Sequence, residues 1–552
     1  MRWIYIAAIL LLFKCSLTAQ PNQIWEWAVQ AGGVDDDRGN SITADSLGNC
    51  YVTGCFQNTA TFGPETLIST GSYDIFVAKL DPEGNYLWTV QAGGIGADDS
   101  KSIILDNEGF CYITGYFSGT AVFGSITLDS YGSSDLYLAK LDPEGDFLWV
   151  TQGGGLSSDT CNDLALDNLG NCYATGSFSS TAEFGEFTLS SSDGSDIFVA
   201  KLDSNGSFIW VAQAGGTSND SSGSIAIDNN GNSYITGNFY GDAVFGATTL
   251  ANIGTSADIF IAKVDSLGSF LWANQAGDES WDRGNGIATD NNGNCYVVGS
   301  FRDTIAFDAF SLTSHGEEDF FVAKLDTNGN YIWVTQTGGT EPDNCNDIFI
   351  DSDGSIYLTG YFSAFTVFGP VLLHSYGFWD TYVTKLDSEG SFLWVKRAGS
   401  ASSENGNSVY CDNIGNCYLT GYFYGTIGFD GTFLFNSGEG DVFITKLSSP
   451  TNVTEGNQPA IYLNGVSSYP NPFYYKTSIT YNLPKSGHTR VCIYNVKGQL
   501  VASLLDTYQI SGEHSLEWDG RNQNGRSISS GIYMCRIMSS GEAETHKMLL
   551  IK

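Results

Sequence analysis

Apolar and polar residues alternate in short runs along almost the whole chain, and the runs return at a fixed interval. One run is Ser41-Ile42-Thr43-Ala44-Asp45; a tight turn follows, and then Cys50-Tyr51-Val52-Thr53-Gly54. A longer connection carries Phe62-Gly63, a third run spans Asp74 to Asp81, and the turn Pro82-Glu83-Gly84-Asn85 leads into Tyr86-Leu87-Trp88-Thr89-Val90. Short β-branched and aromatic runs bounded by Asp, Asn and Gly predict strands joined by hairpins. The turn Asp45-Ser46-Leu47-Gly48-Asn49 recurs as Asp167 to Asn171 and as Asp290 to Asn294. There the Asp side chain caps the turn and Gly supplies the positive φ that closes it. No window shows helical periodicity.

The interval is fixed by tryptophan. Trp27, Trp88, Trp149, Trp210, Trp272, Trp333 and Trp394 are spaced by 61 residues, with one gap of 62. An Asp opening the third run counts the units: Asp74, Asp135, Asp196, Asp258, Asp319, Asp380 and Asp441. The seventh unit stops at Lys446-Leu447 without its Trp-bearing run, whereas Trp27 to Gly33 aligns with Trp88 to Gly94 and has no unit of its own. A fixed period of this length signals a repeat architecture. Four-stranded units arranged around an axis form a propeller, and a missing strand supplied from the other terminus removes an open edge. The expectation is an all-β seven-bladed β-propeller over residues 20–450, closed by N- and C-terminal strands. An open solenoid is the rival, but it calls for polar caps rather than complementary half-units.

With these residues in view, the units resemble the bacterial β-propeller repeat family (SBBP type), as in Asp228 to Phe239 followed by Asp258 to Trp272. The resemblance covers about residues 24 to 447. It implies an extracellular propeller and no particular chemistry, because the family's members share no single activity.

The two ends differ from the repeat. Residues 1–19 run from Met1-Arg2-Trp3 through an apolar core to Leu17-Thr18-Ala19, which reads as a secretory signal peptide and is short for a membrane span. No second apolar stretch is long enough to cross a membrane, so no transmembrane segment is expected. Residues 451–464 are polar and contain Gly and Pro, as linkers do. Strands at roughly ten-residue spacing beyond them suggest a small Ig-like β-sandwich over 465–552. The motifs there are Tyr469-Pro470-Asn471-Pro472-Phe473, the run Val491 to Gly498, Glu517-Trp518-Asp519-Gly520, Ser530-Gly531-Ile532-Tyr533 and the tail Lys547 to Lys552. In this order they resemble the type A C-terminal sorting domain of the type IX secretion system of Bacteroidota. The resemblance implies, as partners, the type IX machinery and a sortase-like peptidase acting through residues 465–552, and a location outside the cell or on its outer surface.

Charge and cysteine narrow the partners. The chain has 24 Lys+Arg and 61 Asp+Glu. Nine of the basic and seven of the acidic residues follow residue 451, and two basic ones lie in the signal, which leaves 13 basic against 54 acidic in the repeat region. Such a field repels nucleic acid and anionic membranes. Cys50, Cys111, Cys172, Cys295 and Cys417 share one repeat position with Ser233 and Ile356, so that position is packing and not a metal ligand. Cys411 with Cys417, and Cys492 with Cys535, are disulfide candidates.

Catalytic signatures such as Gly-x-Ser-x-Gly, His-Glu-x-x-His or a phosphate loop are absent from the sequence. Asp37, Asp98, Asp159, Asp220, Asp282, Asp343 and Glu404 form an acidic series before the first strands, either a carboxylate ring or a set of local turn caps. Asp35-Asp36-Asp37 is the one local cluster with oxygen ligands for Ca²⁺. The Lys79 series is read as structural, half-buried beside an Asp. Function is sought where the repeat breaks: His374, Tyr376, Phe378 and Trp379 in the sixth unit, and His315, Arg302, Trp281 and Arg283 in the fifth. Exposed aromatics with Arg suit a sugar- or protein-binding face. The reading is a secreted or surface binding and adhesion module for a glycan or protein ligand. The alternatives are a polysaccharide-active hydrolase or lyase, and a structural surface-layer protein.

Overall fold

A computed structural model describes residues 23–448 and 464–552, apart from 470, 472, 484–486, 496–499, 511, 524–525 and 540–541. The signal segment 1–19, Pro470, Pro472 and all of the linker except Asn464 lie outside the described residues. The chain divides into two compact units, with the boundary between Pro450 and Thr451. Both are all-β; no helix occurs among the described residues, and so none is long and apolar enough to cross a membrane.

In the first unit many antiparallel sheets repeat one plan, as in a propeller. Its first strands are β1 (Ile24–Gly33), β2 (Arg38–Ala44), β3 (Cys50–Phe62), β4 (Glu65–Leu80) and β5 (Tyr86–Gly94). The ladder order within a repeat is β2-β3-β4-β5. The tight turns do what their sequence requires. Asp45 Oδ1 accepts the N–H groups of Leu47 and Asn49, both at 2.9 Å, and Gly48 closes the turn at φ 85°.

The Phe62-Gly63 connection is more than a loop. The far ends of β3 and β4 form a second small hairpin, Thr59↔Ile68 to Phe62↔Glu65. This hairpin bonds to the last strand of the preceding repeat, with Ala31↔Phe62 between β1 and β3 and Ala92↔Phe123 in the next repeat. Tryptophan is a second staple. Trp27 Nε1 donates to Pro82 O at 2.8 Å and Trp88 Nε1 to Pro143 O at 3.1 Å, each reaching into the next repeat's turn. The Lys series lies over tyrosine rings, and five of the seven pair with a carboxylate; Lys201 Nζ is 4.6 Å from the Tyr173 ring centre and 3.5 Å from Asp167 Oδ2.

β1 pairs with the strand Thr432–Ser448 in the register β5 uses on β4: Trp27 lies opposite Lys446 as Trp88 lies opposite Lys79. Side chains bridge the same two parts of the chain, with Asn407 Nδ2 donating to Gly39 O at 2.9 Å and Ile42 N to Ser408 Oγ at 3.3 Å.

The second unit is an Ig-like sandwich. One sheet holds Asn464–Tyr469, Thr477–Leu483 and Gly512–Trp518; the other holds Leu500–Gln509, Gly487–Asn495, Gly531–Ser539 and Glu542–Leu550. Its core packs Trp518 between Phe473 and Tyr533, with ring centres 5.5 and 5.4 Å away. The recurring cysteines of the first unit are buried packing, and Cys411–Cys417 is a disulfide across one ladder position. Cys492 and Cys535 stay free: Cys492 lies opposite Arg536 and Cys535 opposite Ile493, so neighbouring register sends the two thiols to opposite faces.

Candidate functional site

The first strand of every repeat carries a β-bulge. In β2 the register slips between Gly39 and Ser41, leaving Asn40 unpaired, and the slip recurs in the other six first strands. A bulge re-aims the side chain of its extra residue. The bulged residues are Asn40, Lys101, Asn162, Gly223, Asn285, Asn346 and Asn407, and all of them line one central cavity of about 700 Å³.

The asparagine amides are tied across the repeats. Asn40 Nδ2 donates to Ser100 O, Asn162 to Ser222 O, Asn285 to Cys345 O and Asn346 to Gly406 O, each at 2.9 Å. Asn407 continues the series on Gly39 O. A backbone carbonyl only accepts, so the amide nitrogen must face the neighbouring strand and Oδ1 stays on the cavity side.

One residue further along the first strands, small polar side chains seal the next layer. Asp163 accepts from Leu164 N (2.8 Å), Ile225 N (2.9 Å), Ser102 Oγ (2.7 Å) and Ser224 Oγ (2.8 Å). Asp347 accepts from Ile348 N at 2.8 Å and Val409 N at 2.9 Å. Burial raises both carboxyls, Asp347 to about 6, against the hydrogen bonds that pull them down. Their lone pairs are committed to the protein.

The cavity rim is asymmetric. The Arg283 guanidinium lies 3.9 Å from the Trp281 ring centre, and Trp281 Nε1 donates to Tyr240 OH at 2.9 Å. Arg38 is paired with Asp36 and stacks 5.6 Å over Tyr422; Lys101 is paired with Asp99. Burial would lower both cations, and their carboxylates outweigh it and raise them. Arg283 makes no ion pair among the described residues. No Asp or Glu lines the cavity.

Trp281 and Arg283 are thus cavity residues. Trp379 stacks on Tyr361 with ring centres 4.7 Å apart, and the Tyr361 phenol is raised by burial and by Glu318, with Arg283 acting against it. Arg302 is spent on Glu318 at 3.1 Å. His315 Nδ1 contacts Asp319 Oδ2 at 2.7 Å, and His374 packs on Phe365 at 4.3 Å. Tyr376 lies 3.7 Å under the Arg397 guanidinium, and Phe378 is 77% exposed. None of these six, Trp379 included, lines the cavity. Residues that the sequence reading passed over, the bulged asparagines with Asn238 and Tyr422, do line it. Their signal was present: Asn stands at five of seven equivalent positions.

The Asp35-Asp36-Asp37 carboxylates go to different partners. Asp35 accepts from Asn58 Nδ2 at 2.9 Å, Asp36 pairs with Arg38, and Asp37 accepts Gly33 N at 2.7 Å and Gln57 N at 2.9 Å. No group of three His, Cys, Asp or Glu suited to a metal occurs among the described residues. Asp37 shows what its series does. It fastens the end of one repeat's last strand to the next repeat's second strand, as Asp98 does with Gly94 N (2.7 Å) and Ser118 N (3.0 Å).

Each of these acids sits beside the buried Asp that opens a third strand. Burial, with a smaller push from neighbouring carboxylates, raises Asp37, Asp220, Asp282 and Asp343 to about 7, Asp98 and Asp159 to about 6 and Glu404 to about 8. A carboxyl whose folded pKa is raised holds more protons folded than unfolded, so its contribution is complete below the unfolded value near 4 and lost as pH rises through the folded value. The propeller-like unit is therefore expected to be most stable in mild acid. Its melting temperature in the full chain falls by roughly 5 °C or more between pH 5 and pH 8. A melting temperature that is flat or rises over that range contradicts the buried-acid account.

Comparison with known proteins adds family resemblance. A beta-propeller repeat model matches residues 26–54, 209–238 and 332–361, and a FlgD Ig-like domain model matches residues 475–542. The uncharacterized WD repeat-containing protein L264 of Acanthamoeba polyphaga mimivirus is 23% identical over 72% of this chain and 36% of its own length. The regulatory protein FlaEY of Caulobacter vibrioides is 25% identical over 26% of this chain and 16% of its own length. The chain thus spans about a third and a sixth of these relatives. Among solved structures, PorZ of Porphyromonas gingivalis covers 95% of this chain and 100% of its own at 12% identity and a TM-score of 0.16. Puromycin hydrolase covers 81% and 59% at 10% identity and a TM-score of 0.35. Neither superposition locates a site.

Proposed function

We propose that this chain is a secreted or outer-surface binding and adhesion module. In this reading a closed seven-bladed propeller over 20–450 presents its central cavity to a glycan. The sandwich over 465–552 serves export by the type IX system and removal by a sortase-like peptidase. The ladder between β1 and Thr432–Ser448 and the Asn407–Gly39 bond support the closed ring. The order of the C-terminal motifs and the FlgD Ig-like match support the export role.

One observation carries the binding reading. The cavity to which all seven repeats contribute is lined by amides, an indole, a phenol and cations, while Asp163 and Asp347, the acids of the next layer along the first strands, are committed to backbone and serine donors. A glycoside hydrolase needs a pair of carboxyls free to face the scissile bond. An amide-and-aromatic lining suits recognition instead.

The test immobilises marine and plant polysaccharides, adds the full chain with Ca²⁺ present, and records retained protein and released sugar together. The expected result is retention without release, weakened roughly tenfold or more in Trp281→Ala, the scale of losing an aromatic anchor. Released oligosaccharide overturns this reading in favour of a hydrolase or lyase. Absence of both signals turns it toward a structural surface layer.

A further inference from the structure

The cavity has a chemistry of its own, and the inference drawn from it rests on the binding reading above. Its floor is a ring of acceptors. Asn40, Asn162, Asn285, Asn346 and Asn407 have their N–H groups engaged by neighbouring strands, and no protein donor among the described residues reaches their Oδ1 atoms. Five carbonyl oxygens pointing into one space ask for a ligand rich in hydroxyl donors. A dissolved cation is the other species such a ring suits, but Lys101 stands in the ring and Arg38 and Arg283 at its rim.

The rim asks for an anion. Three cations line the cavity of a chain whose net charge is −37, and no carboxylate lines it. Arg38 and Lys101 each carry a counter-ion, Asp36 and Asp99. Arg283 carries none; its guanidinium lies over Trp281, whose indole N–H donates to Tyr240 OH. That contact holds the guanidinium at the rim, and a carboxylate is what its planar fork binds best. The acidic surface elsewhere opposes an approaching anion, but its reach is limited to about 8 Å at physiological ionic strength.

We propose that the central cavity binds a carboxylated glycan, a uronic-acid-containing saccharide, with Arg283 on the carboxylate, Trp281 against a sugar face and the asparagine Oδ1 ring accepting sugar hydroxyls. A neutral sugar leaves Arg283 unused, and an acidic peptide brings one backbone N–H per residue where a sugar ring brings several hydroxyl donors to the acceptor ring. A cavity of about 700 Å³ has room for a short oligosaccharide.

Calorimetry on the full chain tests this with an oligouronate and with the same oligosaccharide after reduction of its carboxyls to hydroxymethyl groups, both in EDTA so that no divalent cation bridges carboxylates. The expected result is measurable binding of the oligouronate and at least about tenfold weaker binding of the reduced form, the scale of one charge-assisted hydrogen bond. Arg283→Gln abolishes the difference between the two ligands while the melting temperature falls by no more than the few degrees that losing its stack on Trp281 costs, because Arg283 has no ion pair to lose. Equal binding of both ligands overturns the carboxylate claim and leaves the glycan-binding reading standing. Failure of the oligouronate while a neutral polysaccharide is retained overturns it in the same way. Failure of every saccharide overturns both.

Discussion

Deleting residues 23–33 abolishes cooperative unfolding of the repeat unit and drives the chain into aggregates. The deleted segment contains β1, which pairs with a strand more than 400 residues away, from Ile24↔Ser448 to Ala31↔Val442. Without it Thr432–Ser448 loses seven paired residues and presents Val442 and Ile444, both fully buried in the intact chain, along an open strand edge. An exposed apolar edge of that length templates pairing with a second chain. The small hairpin of β3 and β4 also loses its partner in β1. Size-exclusion chromatography and calorimetry on the deleted chain check the expectation, and a synthetic peptide of residues 23–33 should restore a soluble, cooperatively melting species. A deleted chain that stays soluble and melts as before would show that β1 is dispensable and that no ring depends on it.

Gly154→Ala is the second large effect, on the order of 3–5 kcal/mol of destabilisation. The residue has φ 141°, where L side chains are strained, and an added Cβ would stand 2.8 Å from Asp135 Cγ and 2.9 Å from Asp159 Oδ2. Both carboxyls are fully buried and bonded to backbone N–H groups, so neither yields cheaply. Gly431→Ala separates the two causes, because Gly431 also has a positive φ, 115°, with nothing within 4 Å of the added Cβ. It should cost about 1 kcal/mol, the backbone part alone. Equal losses in the two variants would mean that the acid pair does not close on the glycine.

The same glycine shows why the architecture was legible. A Gly stands at 32, 93, 154, 215, 277, 338 and 399 because the buried acid pair recurs in every repeat, so the constraint prints itself on the sequence at the repeat period. The turns and the Trp staples are written the same way. The short hairpin at Phe62-Gly63 shows in the sequence only as a connection, because the strands of such hairpins, as Thr120–Phe123 in the next repeat, span four residues, too few for alternation to show. The cavity was harder for a different reason. A β-bulge leaves no mark of its own in composition, and the acceptor ring is built from residues that keep the repeat rather than from residues that break it. Arg302 and His315 break the repeat but are occupied by Glu318 and Asp319, the first across the ends of two paired strands and the second within the loop that leads into one strand. Trp281 and Arg283 are legible because they both break the repeat and stand at the start of a first strand, next to its bulge and the cavity.

Hydroxyl-radical footprinting of the full chain, with and without the polysaccharide it retains, tests the central claim most directly, because it reports where the ligand sits. The account predicts protection of Trp281 and Tyr422 at the cavity, with Leu47 and Leu169, exposed on turns at the opposite ends of first strands, unchanged. Protection of those turn residues, or of the sandwich alone, with Trp281 and Tyr422 as reactive as in the free chain, would contradict it.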